Sequence, residues 1–555
     1  MAYLHPRTDL QTHSVENQPP PLEGDNAFTG DIALREAVER EGGGWASGGL
    51  TSLGGKVFAP EWLEKANQAN RFLPELKRFD RYGHRVDTVE FHPAWHDLMG
   101  LAYKHEVHAL PWRTNRSGGH VARGAASMLF SQLECGVLCP TAITYGVVPM
   151  MRQQPDLAQV WEPLMISDRY DPRQIPHEQK SGISIAFTAT EKQGGSDIRR
   201  NMTTAKPAGQ PGPGREYILH GHKFFCSAAG ADIIFVVAQT DKGPGCFLVP
   251  RWLPDGTRNP ISLERLKDKL GNRSNASTEL EFEGTHGWLV GEEGRGIPVV
   301  MEFMLHTRFD VSLVPAGIMR LTLSQAMNHA NHRTAFQRRL IDQPLMRQVL
   351  VDLAIESEAA TAWVFRIARA FDASQHDEGE RVFGRLAVAL SKYWLNKRVV
   401  PFVHETMEVH GGAGYIEESV IPRYYREAPL NGIWEGAGNV ISLDVLRALR
   451  KEPLAREVFF AELNTALGVD RGFDRLVSEL HDLIDGPAIA EQNARYITER
   501  MAIALQAAVL LRHAPSAVSD AFCATRLGAR GAAFGSMTQS VDTQAILQRA
   551  QLVAS

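Results

Sequence analysis

The chain has 555 residues, of which 44% are hydrophobic and 22% are charged, the balance of a globular protein of several domain-sized units. A formal net charge of −5 excludes a global electrostatic attraction to nucleic acid or acidic lipid. The five cysteines lack zinc-type spacing and argue against a disulfide framework, so a reducing cytoplasm is the expected compartment.

The N-terminal part is predicted to be an irregular arm followed by a helical domain. The arm, residues 1–30, contains Pro19, Pro20 and Pro21 and lacks the apolar core of a signal peptide. From 31 to 180 apolar residues recur at helical spacing, and Asp31 is placed to cap the first helix. Residues 121–138 predict one helix that is buried on most sides.

The middle and C-terminal parts complete an α+β, mainly helical chain. Short apolar stretches between Gly and Pro turns predict an antiparallel β domain over 181–290, with strands at 182–190, 217–219, 233–238, 246–250 and 278–282. Residues 291–450 predict a four-helix-type domain, with helices at 316–334, 347–371 and 381–410 and a kink or helix start at Pro401. Residues 451–555 predict an extra helical domain, and its apolar stretch 501–511 is too short to span a bilayer.

The stretch from Asn431 to Asn439 carries the clearest candidate for catalysis. Glu435 stands between Trp434 and a run of small residues in which Gly436 and Gly438 allow close approach of the backbone to a flat ligand. This pattern is typical of a carboxylate base held against a cofactor ring. A helix N-terminus, at which the helix dipole favours Glu, is the alternative interpretation.

Two stretches of the β region accompany this motif. Residues 188–197 end a strand with hydroxyls, an acid and paired glycines, and such a loop can donate backbone N–H groups to ring carbonyls or phosphate oxygens. Residues 221–232 contain Phe225 and Ser227, an aromatic and a hydroxyl that can cover a flat ring and hydrogen-bond its edge. Each stretch alone is also compatible with an ordinary turn or strand.

Together these motifs resemble the acyl-CoA dehydrogenase superfamily in its chain order. The resemblance covers about residues 60–450 and rests on the segments 190–197, 223–232, 333–336, 411–415, 423–427 and 433–436. The segments 78–85 and 89–95, together with the C-terminal extension, resemble its AidB branch, the adaptive-response flavoproteins of DNA alkylation. The resemblance implies an N-terminal helical domain, a middle β domain and a C-terminal helical bundle.

The resemblance also implies FAD as cofactor and a homo-oligomer, expected to be a tetramer. Arg333 and Phe336 would reach the FAD of a neighbouring subunit. The residues implied to contact FAD within the subunit are Phe187, Thr190, Glu191, Gly195, Ser196, Phe225, Ser227, Ile433, Trp434, Gly436, Gly438 and Asn439.

By the same resemblance, Glu435 falls on the catalytic base that removes the α-proton of an acyl thioester while the flavin takes the β-hydride. Isovaleryl-type members place this base before an Arg on an earlier helix, and Thr307 stands at that place here. Because an ordinary Glu pKa of about 4.3 is low for this task, the site must raise it by desolvation. The alternative is that Glu435 only contacts the flavin.

The AidB resemblance implies binding of double-stranded DNA without strong sequence preference, with weak isovaleryl-CoA-like dehydrogenase activity. Arg447, Arg450 and Lys451 recur at the spacing of one helix face, and Arg526 and Arg530 form another possible patch. A solvated helix face is the simpler interpretation of such charges. Two alternative functions remain open: a metabolic acyl-CoA dehydrogenase without DNA binding, and a non-catalytic flavin-containing DNA-binding protein.

Overall fold

The computed structural model describes residues 8–114, 116–485, 489–528, 531–538 and 540–553. In the N-terminal region the helices pack around a common apolar core with later helices. The helices of this region are α1 (Ile32–Arg40), α2 (Ser47–Val57), α3 (Pro60–Arg71), α4 (Pro93–Lys104), α5 (Leu110–Arg113), α6 (Gly119–Ser131), α7 (Leu138–Met151) and α8 (Pro155–Met165). The carboxylate of Asp31 accepts from the N–H of Leu34, which confirms the predicted cap of α1.

Two features of this region differ from the predictions. An antiparallel hairpin of β1 (Glu75–Phe79) and β2 (Arg85–Glu90) lies between α3 and α4. The single helix predicted over 121–138 is wrong, because α6 ends at Ser131 and α7 begins at Leu138. Between them Glu134 accepts the N–H of Val137 and the hydroxyl of Ser274, a residue of the β domain, so a tertiary contact holds the break.

A seven-stranded sheet forms the middle region, and it positions two parts of the candidate site. Its strands are β3 (Ile185–Thr188), β4 (Thr204–Pro207), β5 (Glu216–Ser227), β6 (Ile233–Thr240), β7 (Gly243–Pro250), β8 (Ile261–Leu266) and β9 (Ser277–Val290). The order is β3-β6-β4-β5-β9-β7, with β8 also on β9 and with β6 pairing β7. Most pairs are antiparallel as predicted, but β3 and β4 run parallel to β6.

Three long helices and two shorter ones follow the sheet. They are α9 (Gly296–His332), α10 (Pro344–Ala373), α11 (Glu378–His410), α12 (Ile421–Glu427) and α13 (Gly438–Lys451). The small strands β10 (Thr334–Ala335) and β11 (Arg338–Arg339) form a hairpin after α9. Pro401 lies inside α11 and does not begin a helix.

The C-terminal helices share the core of the preceding bundle. They are α14 (Pro453–Asn464), α15 (Arg471–Asp485), α16 (Ala494–His513), α17 (Ser516–Arg526) and α18 (Thr543–Ala550). Polar contacts cross the same boundary: the guanidinium of Arg366 in α10 donates to Glu462 in α14 at 2.9 Å, and the indole of Trp394 in α11 donates to Gln506 in α16 at 3.0 Å. Within the described ranges, no helix is long and apolar enough to cross a membrane.

Candidate active site

A cavity opens where the β domain meets α7, α9 and the segment that precedes α13. The predicted site residues Phe187, Ser227, Trp434 and Glu435 all line it. The remaining walls are mainly apolar, with Leu138, Ala142, Ile143, Phe303, Val311 and Val314 together with the polar residues Cys135, Cys139, Thr307, Asp310, Glu427 and Asn431. Side chains that are far apart in the sequence therefore line one cavity.

Glu435 reaches this cavity from a strained backbone three residues before α13. Its φ of 57° lies in the left-handed region, where non-glycine residues are uncommon, and Gly436 follows with a φ of 102°. The carboxylate is half-buried, and its Oε2 accepts the hydroxyl of Thr307 at 2.8 Å. The structure thus combines the two interpretations of this motif, because Glu435 lies both beside a helix N-terminus and in the cavity wall.

Two buried cations hold this strained turn from the neighbouring helices. Arg308 of α9 donates to the carbonyl of Glu435 at 3.2 Å, and its Nη1 lies 3.0 Å from the carboxylate of Asp444 in α13. Lys392 of α11, which is 1% exposed, donates to the carbonyl of Gly436. The position of Glu435 is therefore fixed by α9, α11 and α13 together.

The environment makes Glu435 a stronger base than an exposed glutamate. Burial raises its pKa above the ordinary value, although the Thr307 hydrogen bond and the charges of Arg308 and Lys392 counteract part of the rise. Burial also lowers the pKa of Lys392 to about 7. A carboxylate of raised pKa beside an open cavity can accept a proton from a bound molecule at neutral pH.

The β-domain residues of the site lie on β3 and β5, which β6 and β4 separate in the sheet order. Phe187 of β3 stacks on Phe303 of α9 with ring centroids 4.2 Å apart, and Ser227 ends β5. The backbone of the two segments is tied together, since Thr188 donates to the carbonyl of Phe225 at 2.8 Å and Thr190 accepts the N–H of Phe224 at 2.9 Å. The predicted aromatic and hydroxyl groups are thus held in fixed relation.

Seven further predicted residues are not among those that line the cavity. Phe225 is 45% exposed, while Gly195 and Ser196 lie on an exposed turn and Thr190 is half-buried. On the other side, Ile433 and Asn439 are exposed, and Gly438 begins α13. The cap position before α13, Ala437, provides no side-chain hydrogen bond, which leaves the first turn of a 14-residue helix open to a ligand oxygen.

The side chain of Glu191 has an internal structural role that the sequence did not reveal. It is 1% exposed, its Oε1 lies 2.6 Å from the ammonium of the equally buried Lys223, and its Oε2 accepts the N–H of Met202 at 2.6 Å. Lys223 and these hydrogen bonds hold the pKa of Glu191 at about 2. Both oxygens are engaged by the protein, so Glu191 stabilises the loop 191–197, and its contact with the cofactor stays a prediction.

Arg333 and Phe336 lie on the β10–β11 hairpin and are not among the cavity-lining residues. Phe336 is 94% exposed, at a left-handed φ of 51°. Arg333 donates to the carbonyl of Asn17 in the N-terminal arm at 2.6 Å. Phe336 is thus accessible for a contact outside the protomer, and the contact with a neighbouring subunit's FAD that the resemblance implies stays a prediction.

The candidate DNA-binding cations divide into exposed and buried groups. Arg447, Arg450 and Lys451 are exposed near the end of α13, although Arg450 donates to the carbonyl of Ile489. The prediction for Arg526 is wrong: it is 4% exposed and paired with Asp352 and Glu356 of α10, so it is inaccessible to a phosphate backbone. Arg530 lies outside the described residues.

Sequence reasoning missed Lys392 and Asp310 as parts of the site. Both are charged residues within long helical patterns and are buried at 1% and 2% exposure. A charge on an otherwise apolar helix face was the available signal, but their partners lie far away in the chain. Thr307 was identified as the place of an alternative base, and the structure brings it to the carboxylate of Glu435.

Comparison with known proteins decides the family. Three family models match consecutive parts of the chain: "Adaptive response protein AidB N-terminal domain" over residues 17–172, "Acyl-CoA dehydrogenase, middle domain" over 186–285 and "Acyl-CoA dehydrogenase, C-terminal domain" over 294–450. The chain is 46% identical over 523 residues to the "Putative acyl-CoA dehydrogenase AidB" of Escherichia coli (strain K12), covering 94% of this chain and 95% of that protein. The protein belongs to the AidB branch of the acyl-CoA dehydrogenase family.

Other relatives agree with this assignment. "Acyl-CoA dehydrogenase family member 11" of Caenorhabditis elegans is 27% identical over 499 residues, covering 84% of this chain and 80% of that protein. The solved structure of Caenorhabditis elegans ACDH-11 in complex with C11-CoA matches with a TM-score of 0.84 at 24% identity, covering 99% of this chain and 93% of that one. An acyl-CoA dehydrogenase from Bacillus anthracis complexed with FAD matches with a TM-score of 0.61 at 19% identity, over 78% of this chain and 80% of that one.

As a member of this family the protein is an FAD-dependent oxidoreductase. The residues present fit such a cofactor, since the cavity combines flat aromatic walls at Phe187 and Trp434 with the hydroxyl of Ser227. The uncapped first turn of α13, which begins three residues after Glu435, adds backbone N–H groups. The predicted cofactor and the predicted family are both confirmed.

Proposed function

We propose that this AidB-like protein oxidises an acyl-CoA thioester of the isovaleryl type slowly, with Glu435 as the base. The observation that carries this proposal is the half-buried carboxylate of Glu435 in the cavity wall, fixed by Thr307 at 2.8 Å and with a raised pKa. In the reaction the base takes the α-proton, a C=C bond forms between Cα and Cβ, and two electrons leave with the β-hydrogen. FAD, when bound, supplies the acceptor for that hydride.

The residues around Glu435 orient its carboxylate, hold its backbone and keep water away during this step. Thr307 orients the carboxylate, while Arg308 and Lys392 bind the carbonyls of Glu435 and Gly436 and keep the turn in its left-handed conformation. The indole of Trp434, anchored to Asn431 at 2.8 Å, shields the carboxylate from water. Exclusion of water strengthens the basicity that burial confers.

An anaerobic titration of the purified flavoprotein with isovaleryl-CoA tests this function. Bleaching of the flavin absorbance is expected in the wild type, and the Glu435→Gln variant should bleach about 100- to 10,000-fold more slowly at unchanged flavin content. Glu418→Gln, an exposed acid of the same region, is the matched control. Full flavin occupancy without bleaching by any acyl-CoA would contradict the dehydrogenase function and favour a non-catalytic flavoprotein.

Binding of double-stranded DNA is the second part of the proposed function. It is supported by the exposed cations at the end of α13: the side chain of Arg447 is 64% exposed and lies 3.8 Å from Asp444, and Lys451 follows one turn later. In the tetramer that the family resemblance implies, such contacts would be multiplied by symmetry. Contacts of this kind bind phosphates without reading sequence.

A duplex-binding titration across a range of salt concentrations tests this part. The double variant Arg447→Ala/Lys451→Ala should lose affinity equally for unrelated sequences, and the slope of log affinity against log salt should fall by about one for each lost phosphate contact. Arg381→Ala, an exposed arginine of α11, is the control. Unchanged binding by the double variant would assign DNA contact to another surface.

A further inference from the structure

One carboxylate of α13 lies between the catalytic turn and the exposed cations at the end of the same helix. Oδ2 of Asp444 lies 3.0 Å from Nη1 of Arg308, and its Oδ1 lies 3.8 Å from Nη1 of Arg447, three residues further along α13. Arg308 in turn donates from Nε to the carbonyl of Glu435 at 3.2 Å. A continuous series of polar contacts therefore joins Arg447 to the base.

The two contacts of Asp444 differ in strength. Arg308 is 6% exposed, so its ion pair with Asp444 is largely shielded from water and salt. Arg447 is exposed, and an exposed pair at i,i+3 spacing on a helix stabilises the protein little. A DNA phosphate can therefore draw Arg447 away from Asp444 while the pair with Arg308 stays in place.

The charge of Asp444 affects Glu435 through Arg308. Burial raises the pKa of Glu435, and the charges of Arg308 and Lys392 counteract part of that rise. Asp444 neutralises part of the charge of Arg308, so the loss of Arg447 from Asp444 makes the surroundings of the base more negative and favours its protonated form. The charged and titratable groups around the base are Arg308 and Asp310 of α9, Lys392 of α11, Asp444 of α13, Cys139 of α7 and, in the same cavity lining, Glu427 of α12.

We propose that Asp444 is a positioning residue that couples the two ends of α13, so that a DNA phosphate on Arg447 changes the charge that Arg308 presents to Glu435. This inference rests on both parts of the proposed function and adds the regulation of one by the other. The coupling is reciprocal, because protonation of Glu435 and binding of DNA then favour each other. The DNA-bound protein should therefore oxidise its thioester more slowly on the acid side of the pH–rate profile.

Stopped-flow reduction of the flavin by isovaleryl-CoA across a pH series, with and without a saturating duplex, tests this coupling. Fluorescence anisotropy of a labelled duplex establishes saturation at each pH. The duplex should move the rising limb of the wild-type profile to higher pH by about 0.3–0.5 unit, which lowers the rate about two- to threefold on the acid side.

Variants of the two residues separate this coupling from the general field of the DNA. In Asp444→Asn without DNA the limb should lie at lower pH than in the wild type, because the charge of Arg308 is then uncompensated, and the duplex should add no shift. Asp444→Glu retains the charge and should recover the wild-type response. Arg447→Ala should have the shifted limb without DNA and show no further shift at a duplex concentration raised to saturation.

Glu378→Gln is the matched control, since Glu378 forms an exposed i,i+3 pair with Arg381 of α11 at 3.1 Å and does not line the cavity. It should respond to the duplex as the wild type does. A bound duplex that leaves the wild-type profile unmoved, or a shift that persists in Asp444→Asn, would overturn the inference alone. Absence of duplex binding would overturn the DNA-binding part of the proposed function and this inference with it, and absence of flavin bleaching would do the same for the dehydrogenase part.

Discussion

The hydroxyl of Thr307 shows how a single residue adjusts the catalytic carboxylate. Its hydrogen bond favours the charged form of Glu435 and lowers a pKa that burial raises. Thr307→Val removes this hydrogen bond, so the pKa of Glu435 should rise further. Since the base acts in its deprotonated form, the rising limb of the pH–rate profile for flavin reduction should move to higher pH. Stopped-flow reduction across a pH series measures the shift.

Thr322→Val is the control for this variant, because Thr322 is a buried threonine of the same helix whose hydroxyl donates to the carbonyl of Ile318. Its profile should match the wild type. A Thr307→Val profile that does not move, or moves to lower pH, would show that Thr307 does not stabilise the charged base.

The Glu191–Lys223 pair illustrates a residue-scale contribution to stability. Lys223→Met would leave a buried carboxylate without its partner, at a cost of about 3–5 kcal/mol. Scanning calorimetry at neutral pH should show a lower unfolding temperature, and Glu191→Gln/Lys223→Met should recover part of it. The pKa of Glu191 is depressed to about 2, so the pair's contribution is full above the ordinary Glu pKa and is lost as pH falls toward 2. Equal unfolding temperatures of Lys223→Met and wild type at pH 7 would contradict this account.

At the scale of elements, hydrogen bonds from the N-terminal arm hold the β10–β11 hairpin. The side chain of Asn17 donates to the carbonyl of Thr334 and accepts from its N–H and hydroxyl, each at 2.8 Å. Asn17→Ala removes these hydrogen bonds, so amide hydrogen exchange in residues 333–343 should become faster. Gln18→Ala, which removes a hydrogen bond to the nearby carbonyl of Glu16, should leave it unchanged. Unchanged exchange in Asn17→Ala would show that the hairpin holds itself.

At the scale of the whole molecule, the C-terminal helices are part of one core with the catalytic bundle. Phe459, Ala504 and Phe522 belong to the same buried cluster as Leu313 and Trp363. A chain that ends at residue 451 would expose this apolar surface and leave buried acids such as Glu356 without Arg526. We expect it to aggregate or to unfold at a markedly lower temperature in calorimetry. A truncated chain that remains folded with the full-length unfolding temperature would show that residues after 451 form an independent unit.

Much of the candidate site was predictable from local sequence patterns. Trp434 and Glu435 belong to one motif and Ser227 to another, and the family resemblance added Phe187. These four residues line one cavity. The helical periods of α9, α10 and α11 and the strand pattern of the β domain were likewise visible, because periodicity is a local property of the chain.

The break between α6 and α7 was not visible, because Ser274 of the β domain contributes to it. The same limitation applies to side-chain roles. Arg526 has the appearance of a surface cation in sequence, yet Glu356, 170 residues away, pairs with it in the core. For Glu191, the sequence did not reveal that Lys223 and the N–H of Met202 engage both its oxygens.

The sequence by itself determined the family, the order of helical and β regions and the identity of the candidate base, because these depend on motifs and periodicities written in consecutive residues. Only the tertiary structure decided how that base is held and tuned. Thr307 and Glu435 are 128 residues apart, and Lys392 and Arg308 come from two further helices. A pKa depends on burial and on charges nearby in space, and these are fixed only when distant segments pack together.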